Sequence, residues 1–227
     1  MNAFFRDRGL SLAAVVLVLV AVSLIQSSLS YTMAFGALRS LLPVDVSLLA
    51  TFLVALRVAI LVLLIVLWAL NRKHALFRAI VFANAVFTLA LLLHTATLLS
   101  VLVGASPQHG GTLILDVVLM AVANILLFSI WYWIIDPPGV EEIPHADEPW
   151  NFLFPQRGSG LPHYESWVPH YADYLFIAFT TSFAFSPTDA LPLTRRAKML
   201  MVLQAAISVV TITGIAGSAI NILAGGQ

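Results

Sequence analysis

The sequence contains no cysteine and few charged residues, and both absences narrow what the chain can be. Without cysteine there are no disulfides, thiolate metal sites or cysteine nucleophiles. Charged residues make up only 10% of the 227 residues, too few to cover a surface that faces water. The net charge is zero, so the charge balance points to no nucleic-acid partner.

The chain is instead rich in apolar residues, which form 60% of it and give a mean hydropathy of +0.97. Lipid is then the solvent for its outer surface, and the lipid bilayer is its expected partner. Runs of membrane-crossing length predict an all-α integral membrane protein with about five transmembrane helices. The runs are Leu10–Gln26, Ser47–Leu70, Ala79–Val103, Thr112–Ile135 and Met199–Leu223. The first also resembles a signal peptide, but no Ala-x-Ala cleavage site follows it.

The C-terminal part of the chain departs from this pattern. Residues 136–170 are acidic, proline-rich and aromatic, which is typical of an ordered interfacial loop. The apolar stretch Tyr171–Phe185 makes a helix of only ~22 Å, shorter than the hydrocarbon thickness of ~30 Å. We therefore expect a four-helix transmembrane region over 1–135, the loop over 136–170, and a short re-entrant helix, turn and last span over 171–227.

Basic residues orient the chain, because Lys and Arg favour cytoplasmic loops. With a cytoplasmic N-terminus and a re-entrant 171–189, only Arg39 lies outside and only Arg57 lies in the membrane. A full crossing by 171–189 would move Arg195, Arg196 and Lys198 outside, so the rule favours the re-entrant path. The residues expected inside are Arg6, Arg8, Arg72, Lys73, Arg78, Arg157, Arg195, Arg196 and Lys198.

Three ionisable residues form a predicted buried polar cluster: Arg57, His94 and Asp116. An arginine inside a membrane helix is costly unless it is paired or wet. By helix rise, His94 and Asp116 lie at depths that Arg57 can approach, and Arg57 has the length to bridge to Asp116. Two interpretations of the cluster are open. It is either an ion or proton path, or a buried pair that fixes how the helices pack. Asn84 and Asn124 are interpreted as hydrogen-bonding between helices.

The last span carries Gln204, Ser208, Thr211 and Ser218 near one helical face, beside Gly214 and Gly217. Such a stripe can line an aqueous pore. It can equally be a seam of small residues at which helices pack closely.

The stretch from Tyr171 to Ser208 reads YADYLFIAFTTSFAFSPTDALPLTRRAKMLMVLQAAIS, under a fifth of the 227 residues. It resembles the pore region of tetrameric potassium-channel-like proteins. In that family an acidic residue starts a pore helix that ends in paired threonines. A filter, an aspartate and a Pro-x-Thr turn then lead to the inner helix. The matching residues are Asp173, Thr180, Thr181, Asp189, Pro192 and Thr194.

The resemblance implies a homo-oligomer, a tetramer if the chain is channel-like, with a constriction at its axis. Its candidate residues are Thr180, Thr181, Ser186, Thr188 and Asp189, with Gln204, Ser208 and Thr211 lining the path. The filter positions Ala184–Thr188 contain no glycine, and Pro187 fixes its own φ. We therefore expect no potassium selectivity. The charge rule also puts this loop in the cytoplasm, whereas those channels carry it outside.

More broadly, the C-terminal part with Trp150-Asn151-Phe152-Leu153-Phe154-Pro155 is similar to bacterial membrane proteins of the DUF1345 type. The likeness covers about the last 95 residues and, more weakly, the whole chain. It implies a multi-pass protein of the bacterial inner membrane and no established activity.

Enzyme signatures are few. The loop holds His145, Asp147, His163 and His170, with Asp173 after them, but their spacing matches no known metal-ligand pattern. Gly158-Ser159-Gly160 lacks the strand and helix of a nucleophile elbow. We expect no enzyme activity and no cofactor. The leading hypothesis is a pore-loop, channel-like protein for ions or small solutes. The alternatives are a non-conducting structural or accessory subunit, and a membrane enzyme or metal transporter that uses the loop histidines.

Overall fold

The computed structural model describes residues 10–30, 34, 46–103, 110–136, 150–156, 162, 164, 167–184 and 190–225. These residues form six helices and one pair of short antiparallel strands. The helices are α1 (Leu10–Ser27), α2 (Val46–Ala69), α3 (Lys73–Val103), α4 (Gly110–Ile135), α5 (Tyr171–Ala184) and α6 (Arg195–Gly225). The strands are β1 (Phe152–Leu153) and β2 (Leu191–Pro192).

Four of the helices, α2, α3, α4 and α6, are long and apolar enough to cross a membrane. The apolar part of α1, Ser11–Ser27, is shorter. These lengths confirm the expected all-α, membrane-type fold. Two helices begin a full turn or more before the predicted run: α3 at Lys73 rather than Ala79, and α6 at Arg195 rather than Met199. Charged residues can extend a helix past the hydrocarbon because the headgroup region solvates them.

Helix α4 lies at the centre of the bundle and α2 at its edge. In the membrane-length part of α4, 61% of residues are buried, against 11% in that of α2. Helix α4 packs against α1, α3, α5 and α6, most extensively against the last two. The apolar residues of these helices are not confined to one face, so hydrophobic periodicity alone does not tell which face is buried.

A glycine sets how closely α6 approaches its neighbours. A Cβ at Gly214 would lie 3.3 Å from Leu98 on α3 and 3.3 Å from both methyl groups of Val117 on α4. Leu98 and Val117 are fully buried and have little room to move. Gly214 thus allows the three helices to pack closely, as small residues do in membranes.

The connection between α2 and α3 is a tight turn at Asn71, whose φ is +55°. The Arg72 N–H donates to the Leu67 carbonyl and the Asn71 N–H to the Trp68 carbonyl, both at 3.1 Å. This is a Schellman motif with asparagine in the left-handed position. It reverses the chain directly, so α2 and α3 form a helical hairpin.

Helix α5 has a capped start. The His170 N–H donates to the Asp173 carboxylate at 2.7 Å, and the Asp173 N–H donates to the His170 carbonyl at 3.0 Å. A carboxylate in the first helical turn also interacts favourably with the helix dipole. Asp173 therefore caps the start of α5, where the sequence predicts that the helix begins.

Candidate functional site

Gln204 of α6, one of the residues expected to line a path, is completely buried. Its amide nitrogen donates to the Ala178 carbonyl at 2.7 Å and to the Ser182 hydroxyl at 2.8 Å, both on α5. Its amide oxygen accepts a short hydrogen bond from the Tyr132 hydroxyl of α4. One side chain thus joins α4, α5 and α6.

Asn124 of α4 extends this arrangement along α6. Its amide nitrogen donates to the Gln204 backbone carbonyl at 3.2 Å and to the Ser208 hydroxyl at 2.9 Å. One turn further along α6, the Thr211 hydroxyl donates to the backbone carbonyl of Ile207 at 3.1 Å. Ser208 and Thr211 are 2% and 1% exposed, so this face of α6 packs against other helices of the same chain.

Two more amides link the remaining helices. The Gln26 amide of α1 donates to the Phe87 carbonyl of α3 at 2.9 Å, and the Asn84 amide of α3 donates to the Leu127 carbonyl of α4 at 3.3 Å. We call Gln26, Asn84, Asn124 and Gln204 the amide chain, because together they connect α1, α3, α4, α6 and α5 in that order. Each is at most 1% exposed. Interhelical hydrogen bonds of this kind contribute about 0.6 kcal/mol each in membranes.

A second polar cluster lies where α4 ends. The Asp136 carboxylate, 1% exposed, accepts from the backbone N–H groups of Asn151 at 2.8 Å and Phe152 at 3.1 Å. It also accepts from the Tyr174 hydroxyl of α5 at 2.8 Å. Because no water is needed to satisfy these acceptors, the carboxylate can stay buried at the helix end.

Asn151 connects this cluster to the start of α6. Its side-chain amide donates to the Ile135 carbonyl, and its side-chain oxygen accepts from the Thr194 hydroxyl. Thr194 in turn accepts from the Ala197 N–H at 3.3 Å, as an N-cap residue does. The Leu193 N–H also donates to the Asn151 carbonyl at 2.9 Å. The segment after α4 and the segment before α6 are therefore fastened together.

Arg57 and Asp116 do not meet within the part of the chain that the structure describes. The Asp116 carboxylate accepts instead from the backbone N–H of Ser30 at 2.9 Å and from its hydroxyl at 2.6 Å. The Arg57 guanidinium donates to the Ser27 hydroxyl at 3.5 Å. His94 is buried, and no hydrogen bond joins it to either residue. The suggested bridge does not form, and each of the two charges bonds instead to a serine in or just after the end of α1.

The expected constriction is only partly described. Thr181 is 2% exposed and faces the bundle, whereas Thr180 is half-buried and donates to the Phe176 carbonyl of its own helix at 3.0 Å. Ser186, Thr188 and Asp189 lie outside the described residues, as do His145, Asp147 and His163. Among the described residues, no group of three or more His, Asp or Glu side chains could hold a metal ion.

Sequence reasoning missed three members of the site. Neither Tyr132 nor Asp136 was among the predicted site residues, and neither was Ser182. Ser182 lies one turn after Ala178, on the same face of α5 as the buried Tyr174 and Thr181. The helical spacing of Ser182 with the apolar residues of α5 is the one signal in the sequence that could have identified it. It places the hydroxyl on the buried face, where a hydroxyl group needs a hydrogen-bond partner.

No family model, curated protein or solved structure matches this chain.

Proposed function

We propose that this chain is a non-conducting structural or accessory subunit of a membrane-protein assembly. We also propose that its short helix α5 is re-entrant. The observation that carries the proposal is that the Gln204 side chain is fully buried and bonded inside one chain. Its amide nitrogen donates twice to α5 and its amide oxygen accepts from α4, so the residue expected below a constriction presents no polar group to a passing ion or solute.

The re-entrant path is supported by contacts on both sides of α5. Near its start, the Tyr174 hydroxyl donates to Asp136, just after the end of α4. Beyond its end, Thr194 donates to Asn151, whose amide donates to the Ile135 carbonyl. The start of α5 thus contacts the C-terminal end of α4 directly, and the segment after α5 is joined to the same end through Asn151. Fourteen residues also span only ~21 Å as a helix, less than the hydrocarbon thickness.

The outer face of α5 supports a non-conducting role as well. Phe176, Phe179 and Phe183 are 48%, 51% and 56% exposed, and the last two rings lie 4.9 Å apart. A wet path along this face would carry polar groups, as pore linings do. Three phenylalanines in a row are instead typical of a surface that lipid or another apolar helix covers.

A pore-loop channel remains the second candidate function. The same-end contacts of α5 favour it, because a re-entrant helix with paired threonines is the arrangement expected from the pore-loop resemblance. In that function the 185–189 segment would form the constriction in a homo-oligomer. The α6 face with Gln204, Ser208 and Thr211 would hold α5 in place beside it.

Flux measurements on purified protein in liposomes separate the two functions. We expect potassium, sodium and chloride movement no greater than in empty vesicles, with gramicidin as a positive control for the two cations. Reconstitution that inserts the protein in both orientations makes the measured flux independent of which side faces the outer solution. Flux that the protein causes and that Asp189→Asn or Thr188→Val changes would overturn the non-conducting proposal in favour of the channel.

A further inference from the structure

Three basic residues lie close together in sequence at the turn between α2 and α3 and in the first two turns of α3. We call Arg72, Lys73 and Arg78 the cationic cluster, and all three are exposed. Residues 46–103, which form α2, the turn and α3, contain no aspartate or glutamate. The hairpin of α2 and α3 therefore carries an excess of positive charge at this turn, and such a surface attracts anions.

The length of α3 places the cationic cluster at the boundary of the membrane. Its 31 residues make a helix of ~46 Å, which exceeds the hydrocarbon thickness of ~30 Å by ~16 Å. The apolar run of α3 begins at Ala79, directly after Arg78, so the first turns of the helix extend beyond the hydrocarbon. Side chains of a helix point towards its N-terminus, which directs the Arg78 guanidinium towards the headgroups.

An exposed apolar stripe runs along α3 from Arg78 into the hydrocarbon. Phe82, Ala85 and Leu89 follow Arg78 by four, seven and eleven residues, so all four side chains lie on one face of the helix. Phe82 and Leu89 are 59% and 60% exposed, and the small Ala85 between them is exposed as well. A cation above an apolar stripe matches the two parts of a phospholipid, its phosphate and its acyl chains.

We propose that the cationic cluster binds the headgroup phosphate of an anionic phospholipid, with one acyl chain along Phe82, Ala85 and Leu89. Arg78 is the central residue, because a planar guanidinium binds two phosphate oxygens through parallel hydrogen bonds. Arg72 and Lys73 favour a lipid of net negative charge, since basic groups at a membrane boundary recognise anionic headgroups. This binding is independent of whether the chain conducts and of the path of α5.

Native mass spectrometry of the full chain in a maltoside detergent tests the proposal. The probe is dioleoylphosphatidylglycerol, compared with dioleoylphosphatidylcholine, which has the same acyl chains and phosphate but no net charge. We expect the wild type to bind the phosphatidylglycerol more tightly. Arg78→Gln should weaken that binding about tenfold, as the loss of a charge-assisted hydrogen bond does, and should leave phosphatidylcholine binding unchanged.

Two further variants make this result specific. Arg78→Lys keeps the charge but not the planar donors, so it should bind with intermediate affinity, and it keeps the test informative where the glutamine variant folds poorly. Arg196→Gln removes one exposed cation at the start of α6 instead, and it should bind phosphatidylglycerol like the wild type.

Five results would overturn the proposal. Three are equal binding of the two lipids by the wild type, unchanged phosphatidylglycerol binding by Arg78→Gln, and an equal loss in Arg196→Gln, which would indicate unspecific attraction. The fourth is inorganic phosphate that binds through Arg78 as tightly as the lipid, which would assign the site to a free anion. The fifth is lipid binding that appears only after Glu141, Glu142, Asp147 and Glu148 are changed to amides, which would assign the cluster to carboxylates of the chain itself.

Discussion

Ser30 donates both its backbone N–H and its hydroxyl to the Asp116 carboxylate, at 2.9 and 2.6 Å. The carboxylate is 4% exposed, so the residues that follow α1 are fastened to the first turns of α4 inside the protein. Three residues earlier, Ser27 accepts from Arg57. The two charges that the sequence suggested as a pair each interact with a serine at the end of α1 instead.

A double-mutant cycle distinguishes these arrangements. Ser30→Ala and Asp116→Asn should each destabilise the protein, and their coupling energy should be about 1 kcal/mol because each removes the same charge-assisted hydrogen bond. Arg57→Gln and Asp116→Asn should be additive. Unfolding in mixed micelles measures the free energies of unfolding of the wild type, the three single mutants and the two double mutants. Strong coupling between Arg57 and Asp116, with none between Ser30 and Asp116, would contradict the observed contacts.

Gln204→Leu should lower the free energy of unfolding by about 1–3 kcal/mol, because the Tyr132 and Ser182 hydroxyls lose a buried partner. Thr213→Val is the matched control. Thr213 lies on the same helix but is exposed, and it bonds only to the Val209 carbonyl of its own helix. The same unfolding assay should show little change for this control. Equal effects of the two substitutions would argue against a special role for Gln204.

Two glycines on α6 make a second matched pair. A Cβ at Gly214 would crowd Leu98 and Val117 at 3.3 Å, whereas a Cβ at Gly217 would make an ordinary contact with Leu102 at 3.7 Å. Gly217→Ala should be neutral or stabilising by up to about 1 kcal/mol, the usual gain of alanine over glycine in a helix. Gly214→Ala should be less stable than Gly217→Ala by about 1–3 kcal/mol, the usual cost of overpacking. The order of the two melting temperatures checks this, and a reversed order would show that α6 is not tightly packed there.

The absence of cysteine makes water access directly measurable, since any introduced thiol is the only one in the chain. Ser208→Cys should resist a water-soluble maleimide in intact membranes, because Ser208 is 2% exposed and packs against Asn124. His74→Cys, at the exposed start of α3, should react when the reagent reaches its side. Rapid labelling of Ser208→Cys would mean that water reaches the stripe on α6, as a pore requires.

The sequence predicts the class of fold well, because run length decides whether a helix can cross lipid. It also predicts the extent of α5, since Asp173 starts the helix and Ser186-Pro187 follows its end. The face formed by Gln204, Ser208 and Thr211 follows from helical spacing in the same way. Each of these features is local, and local spacing is what a sequence pattern records.

The partners of these residues are not local, and they could not be predicted. Helical spacing places Gln204 on a face of α6 but does not tell that Ala178 and Ser182 lie opposite. Depth along a helix brought Arg57 and Asp116 to similar levels. It could not reveal that Ser30, in a connecting segment without periodicity, would reach the carboxylate first. Asp136 before two prolines has the pattern of a helix end, and only the folded chain brings Tyr174 to it.

The re-entrant path of α5 is the central proposal, and thiol labelling on its two flanks tests it most directly. His170 and Arg195 are both exposed and lie before and after α5, so single-cysteine variants at these positions can be compared in sealed, right-side-out and inside-out vesicles. The account predicts that an impermeant maleimide labels both positions from the same side, which is also the side that labels His74→Cys. Labelling of the two positions from opposite sides would mean that α5 crosses the membrane and would contradict the account.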